Sequence, residues 1–299
     1  MDKTYKAFKT KRKTLKLKPI EGAKKNELIK KIEKVKIPVP DGHFRLHTVS
    51  CFIGACDSGK TNWMLRLSES LQEYGSFNRI FVFSPTYEHN GAFDILHIRP
   101  GDVYSGQRAA DDGIGCIIEI DQKIQKAAEE YEEYKEYCAA YDAWIAGTAT
   151  YWQNTMLENN GFEKPEFIPM PRILVIMDDL SHTNIFSVAK TNPFNNMILR
   201  HRHIHGIGVS FFIAVQNFNT GASKMIRQNT KQFFLYKTHD TTQLESIFEQ
   251  VSAGATKEDF YNAFIEATKE PHNFLTVDLS ASGDQPVFRK NFDEAIDLT

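Results

Sequence analysis

The chain has 299 residues, of which 41% are hydrophobic and 25% charged. That suits one large folded domain with embellishments and excludes a disordered or fibrous chain. No apolar run reaches the ~18 residues a membrane span needs, the first residues lack the apolar core of a signal peptide, and Cys51, Cys56, Cys116 and Cys138 show no CxxC spacing, so reduced thiols in an intracellular compartment are expected.

The net charge of −2 hides an asymmetry. Residues 1–36 hold 14 Lys and Arg against four acids, a surplus of ten, so the remainder carries −12. A basic arm on an acidic body is expected at 1–40, either gripping a polyanion or remaining a solvated tail. Its "KTKRKTLKLK" also passes as a nuclear-import patch. Pro38 and Pro40 end the arm.

The domain expected at 41–299 opens with "HTVSCFI", a strand, followed by "GACDSGKTN" and "WMLRLSESLQEY", whose apolar spacing is helical. "RIFVFSP" is a second strand stopped by proline, so the unit begins a parallel α/β sheet. Residues 101–171 read as a helical insertion, dominated by a long helix at 120–145. Its Tyr and Trp residues recur at three- and four-residue spacing, which fits either packing on the core or an exposed partner-binding face. "RILVIMDDL", "GVSFFIAV" and "QFFLYKT" supply buried parallel strands. Helices follow near 241–251 and 256–268. "NFLTVDL" and "QPVFRKNF" read as a small terminal strand pair in an extension near 240–299.

The strongest chemical signal is Gly54-Ala55-Cys56-Asp57-Ser58-Gly59-Lys60-Thr61, followed by Asn62. It fits the phosphate-binding P-loop. The glycines let backbone N–H groups turn toward phosphate oxygens, and the following helix N-terminus favours an anion. Lys60 is expected to reach the β- and γ-phosphates, and Thr61 to bind Mg²⁺. Asp57 is an unusual anion here, harmless if its side chain faces solvent. Asp178 and Asp179 follow an apolar strand. The first suits a Mg²⁺ acid and the second a general base, with strand-end capping as the plain alternative. Gln216 ends the next apolar strand and can orient water if that strand lies beside the Asp178 strand.

Two further patterns have competing readings. "TKED" at 256–259 resembles a guanine-reading motif, but it follows "SAGA" and opens an expected helix, where Thr and the acids suit a cap. "RHRHIH" at 200–205 alternates histidines that could share a metal. A helix end within 193–203 explains them more simply, and Arg200, Arg202 or Arg227 could complete a neighbouring subunit's site.

Taken in order, "GACDSGKT", "FVFSPT", "ILVIMDDL", "RHRH…GVSFFIAVQN", "MIRQNTKQFFLYK" and "PHNFLTVDL" resemble the DNA-packaging ATPases of the FtsK/HerA superfamily, of the poxvirus type found in large DNA viruses, virophages and Polinton-like elements. The likeness covers about residues 45–280. It implies an ASCE-type (RecA-like) P-loop fold, ATP and Mg²⁺ as cofactors, a homo-oligomeric ring of five or six subunits, and translocation of double-stranded DNA into a capsid through a capsid or portal-vertex protein. It also implies residence in the infected host cell, in cytoplasm, nucleus or viral factory, or on the virion. By motif position it makes Lys60 and Thr61 ATP contacts, Asp178 and Asp179 the Mg²⁺ and catalytic acids, and Gln216 the sensor. The family's Gly-Arg-His before the sensor strand is here "RHRHIHGIG", with no glycine preceding Arg200 or Arg202. A cellular translocase of the same superfamily, or a nucleotide-dependent scaffold acting through 120–145, are the alternatives.

Overall fold

The computed structural model describes residues 38–41, 43–180, 183–186, 192–281 and 285–298. The basic arm therefore lies outside the described residues, apart from 38–40.

The described chain is a mixed α/β fold built on a nine-stranded, mostly parallel sheet. The strands are β1 (Val49–Ile53), β2 (Arg79–Phe83), β3 (Val103–Tyr104), β4 (Ile173–Met177), β5 (Val209–Val215), β6 (Thr230–Tyr236), β7 (Phe274–Asp278), β8 (Phe288–Lys290) and β9 (Glu294–Ala295). Their spatial order is β3-β2-β4-β5-β1-β6-β7-β8-β9. The first six are mutually parallel, and β7, β8 and β9 each run antiparallel to the strand before. The terminal strands read from the sequence as a separate pair thus extend the main sheet. Strands β3 and β9 are two residues each, too short to leave a periodic signal.

The sheet is covered on both faces, which is why β1, β4 and β5 are buried along their whole length and mostly apolar. Along β1, Val49, Cys51 and Ile53 enter one core while Phe52 enters the other. Along β4, Ile173, Val175 and Met177 oppose Leu174 and Ile176 in the same way. One face is covered by α1 (Lys60–Glu73) through Met64, Leu65, Leu67 and Leu71. The other carries the start of α3 (Gly113–Ile145), which follows the short α2 (Gly106–Asp111). It also carries α5 (Pro193–Arg200), α8 (Thr241–Val251) and α9 (Lys257–Ala267). Between these lie α4 (Tyr151–Asn159), α6 (Phe218–Gly221) and α7 (Lys224–Asn229).

Helix α3 begins seven residues before the expected 120, where the Asp112 side chain accepts a hydrogen bond from Gly115 N. Its two halves answer the two readings of its sequence. Cys116, Ile117, Ile120, Ile124 and Ala128 are buried in the core, whereas beyond Ala128 only Ala140 is buried.

Helix α5 ends at Arg200, earlier than the expected 203. His201 follows as its C-cap and is buried, with Nδ1 2.7 Å from Ile198 O, whereas His205 Nε2 is 2.9 Å from Asp121 Oδ1 on α3. The alternating histidines therefore face different partners, because the backbone turns at His205 (φ 46°). Among the described residues, no group of three or more His, Cys, Asp or Glu is placed to hold a metal ion. Thr256 caps α9, its hydroxyl accepting from Asp259 N at 3.1 Å, so "TKED" is a capping sequence here.

Candidate nucleotide-binding site

The site lies at the carboxyl ends of β1, β4 and β5, where ligands bind in open parallel sheets. Residue 53 of β1 pairs with residue 215 of β5, and Met177 of β4 pairs with Ile213. Three chain segments therefore leave the sheet side by side: the loop from Gly54, the acids from Asp178 and the turn from Gln216.

The loop from Gly54 to Gly59 curls because two glycines permit it. Gly59 has φ 91°, and a Cβ on Gly54 would approach Tyr236 Cβ to 2.6 Å. Asp57 also lies in the left-handed region (φ 57°), with its side chain exposed as expected for a harmless anion. Helix α1 starts directly after Gly59, with no side-chain cap and no acid in its first turn. Its first N–H groups are left for an anion. The Ser58 hydroxyl inside the loop is buried without a hydrogen-bond partner.

Lys60 is 9% exposed and donates to Ala55 O at 2.7 Å, folding over the loop where phosphates would sit. Burial lowers its pKa, against the opposing pull of Asp178, Cys56, Asp179 and Asp57. Thr61 Oγ1 donates to Asp178 Oδ2 at 2.9 Å. This bond joins residues 117 positions apart, the placement expected if both belong to one cation site. Asp178 is 5% exposed. Burial raises its pKa first, Asp179 raises it further, and the Thr61 hydrogen bond and Lys60 oppose both. Asp179 sits at φ 53°, a conformation uncommon for a non-glycine residue.

Gln216 is exposed one residue past β5, and Gly54 N donates to the neighbouring Val215 O at 3.2 Å. It borders a cleft of about 280 Å³ shared with Leu180, Asn217 and Thr220. The condition set by the sequence, that β5 lie beside the acidic strand, is met.

Sequence reasoning missed one wall. A cleft of about 710 Å³ beside the loop is lined by Asp57, Lys60, Thr61 and Asn62, and also by Trp63, Arg66 and His272. His272 precedes β7 at φ 66°, and its ring lies 3.3 Å from where a Gly59 Cβ would be. The next residue is tied to β8's far end, since Asn291 Nδ2 donates to Asn273 Oδ1 at 3.1 Å. Trp63 packs edge-on against Phe274 and Phe292, each at 5.6 Å. The only sequence trace of this wall is "PHNF", whose histidine carries no spacing signal of its own.

The arginines lie elsewhere. Arg200 and Arg202 are exposed before the amino end of β5, at the opposite end of that strand from Gln216. The seven residues of β5 between them, at ~3.3 Å each, span roughly 20 Å. Arg227 is engaged within its own chain: Nη1 donates to Phe218 O, Asn219 O and Ala222 O, and Nε to Gln250.

No family model matches this sequence, and no curated protein matches it. Among solved structures, the genome packaging NTPase B204 from Sulfolobus turreted icosahedral virus 2, in complex with AMP, is similar over 83% of this chain and 98% of that one, at 12% identity and a TM-score of 0.49. EssC (ATPases 2 and 3) from Geobacillus thermodenitrificans is similar over 82% of this chain and 39% of that one, at 14% identity and a TM-score of 0.47. The pCW3 conjugation coupling protein TcpA is similar over 84% and 62%, at 14% identity and a TM-score of 0.44.

Proposed function

We propose that this chain is an ATP-hydrolysing motor that moves double-stranded DNA, and that its task is to package a viral genome into a capsid. The observation that carries the nucleotide part is the Thr61–Asp178 hydrogen bond beside the Lys60-bearing loop. The DNA, ring, capsid and host-cell parts rest on the sequence resemblance.

In this reading the loop N–H groups and Lys60 hold the phosphates. The orphaned Ser58 hydroxyl and the uncapped start of α1 fit an anionic ligand. Thr61 and Asp178 form an oxygen donor pair that suits Mg²⁺, which neutralises phosphate charge when bound. Asp179 accepts the proton of the attacking water, and Gln216 orients that water and reports the γ-phosphate. Trp63, Arg66 and His272 hold the base and sugar. Arg200 or Arg202 reaches the site of the next subunit in a ring of five or six, since neither reaches its own. The basic arm grips DNA through phosphates.

The test is ATPase activity of the full chain with and without double-stranded DNA. Expected is DNA-stimulated turnover that is lost in Lys60→Ala and falls about 10²–10⁴-fold in Asp179→Asn. Tight ATP binding without turnover would instead establish the scaffold. Deleting residues 1–36 should weaken DNA binding and flatten its salt dependence; unchanged binding removes the arm from the mechanism.

A further inference from the structure

The outer half of α3 and the helix hairpin it forms with α4 play no part in the nucleotide site. Between them runs a groove of about 630 Å³. Its apolar lining comes from Tyr134 and Tyr137 on α3, Met156 on α4, and Pro165 and Ile168 on the returning strap. The strap is fastened to α3, as Tyr137 Oη donates to Glu163 O at 2.6 Å. The apolar surface continues past the groove. Trp152 lies four residues before Met156, on the same face of α4, and is 77% exposed, while Phe167 is 81% exposed. Side chains of this size left in water mark an interaction surface.

Charge selects the occupant. Glu130, Glu133, Glu136, Glu163 and Glu166 line the groove against a single cation, Lys164. Only Glu130 has an ion-pair partner among the described residues, Lys126 at 3.8 Å. The other four carboxylates crowd one groove uncompensated, so they repel one another and any phosphate backbone. A lysine or arginine stem covers apolar surface while its head meets a carboxylate at the rim, and an aromatic face adds to the attraction. The α3 wall of the groove runs from Glu130 to Tyr137, about 10 Å, the span of about three extended residues.

We propose that this groove, with Trp152 and Phe167 beside it, is the docking site for a basic segment of a partner protein, rich in lysine or arginine with aliphatic residues between. The insertion is thus a protein-binding arm.

The test uses the full chain and a fluorescently labelled peptide of alternating lysine and leucine, about seven residues long, enough to cross the groove with about two residues to spare at each end. Binding is read by anisotropy. Expected is salt-sensitive binding that weakens at least ~10-fold when Glu133, Glu136, Glu163 and Glu166 are all changed to glutamine, and several-fold in Trp152→Ala/Phe167→Ala. All six side chains are exposed, so folding should survive, as the unchanged basal ATPase rate and thermal midpoint of each variant would show. Undiminished binding to the four-glutamine variant overturns the proposal. So does equal affinity for leucine-free oligolysine or spermine, which would make the groove a trap for small polycations. Protection of the groove by duplex DNA, in place of the peptide, overturns it as well. None of these outcomes depends on whether the P-loop hydrolyses ATP.

Discussion

At the scale of single residues, the P-loop site follows from a few short contacts. Lys60 and Thr61 were legible because their spacing from Gly54 and Gly59 encodes a backbone shape. Asp178 was legible because a charge ending a buried apolar strand needs a reason. His272 was not, since nothing local ties it to Gly59; only the return of the chain at β7 brings it there. His272→Ala should raise KM for ATP several-fold with little change in kcat, on the scale of one aromatic contact of ~1 kcal/mol. An equal fall in kcat would place it in the chemistry instead. A second site tests the backbone. Gly208 has φ 73°, and a Cβ there would lie 2.4 Å from His47 Nδ1. Gly208→Ala should cost more than ~1 kcal/mol in urea unfolding.

At the scale of elements, the strongly patterned segments lie where the sequence put them and the irregular ones do not. Helix α8 falls at 241–251 as expected, with Asp240 capping Thr242 N at 2.9 Å. Thr256 is legible in the same way, because a hydroxyl three residues before an acid suits a helix start. Thr256→Ala should lower stability by about 1 kcal/mol without changing nucleotide affinity. A loss of nucleotide affinity or of base preference would revive the guanine-motif reading. Helix α3 is the mixed case. Its apolar spacing persists along its whole length, so sequence could not show that only the first half meets the core. The distinction comes from what lies against each half: the core up to Ala128, and α4 with the returning strap beyond it.

At the scale of the whole molecule, the two ends of the sheet carry different side chains. The carboxyl end holds the loop, the acids and Gln216. The amino end holds Arg200 and Arg202, together with the buried His201 and the half-buried His47. His47, His201 and His43 all have pKa values lowered chiefly by burial, His47 to about 4. A base depressed in the folded state is protonated first in the unfolded one, so the unfolded chain binds more protons as pH falls below 6.5. Stability from His47 is therefore full above pH 6.5 and declines toward about pH 4. Thermal midpoints should fall across that window and recover part of the loss in His47→Gln; a flat profile would contradict the burial assigned to these rings. The arginines are tested by mixing. Arg200→Ala or Arg202→Ala subunits combined with Asp179→Asn subunits should regain activity, because each Asp179→Asn subunit lends its arginine to a neighbour's intact acids. No rescue by either removes both from the mechanism.

The sequence by itself determined the parts that depend on neighbours in the chain: the P-loop, the buried strands with their terminal acids and glutamine, and the helix caps. These follow from spacing, because backbone geometry and burial periodicity are local properties. The tertiary structure alone decided which strands are adjacent, and so that Gln216 stands beside Gly54 and Thr61 bonds Asp178. It also brought His272 to the loop, tied Arg227 into its own chain, and left the acidic groove of the insertion open. Those outcomes depend on how the chain crosses between sheet positions, and no spacing along the sequence records that path.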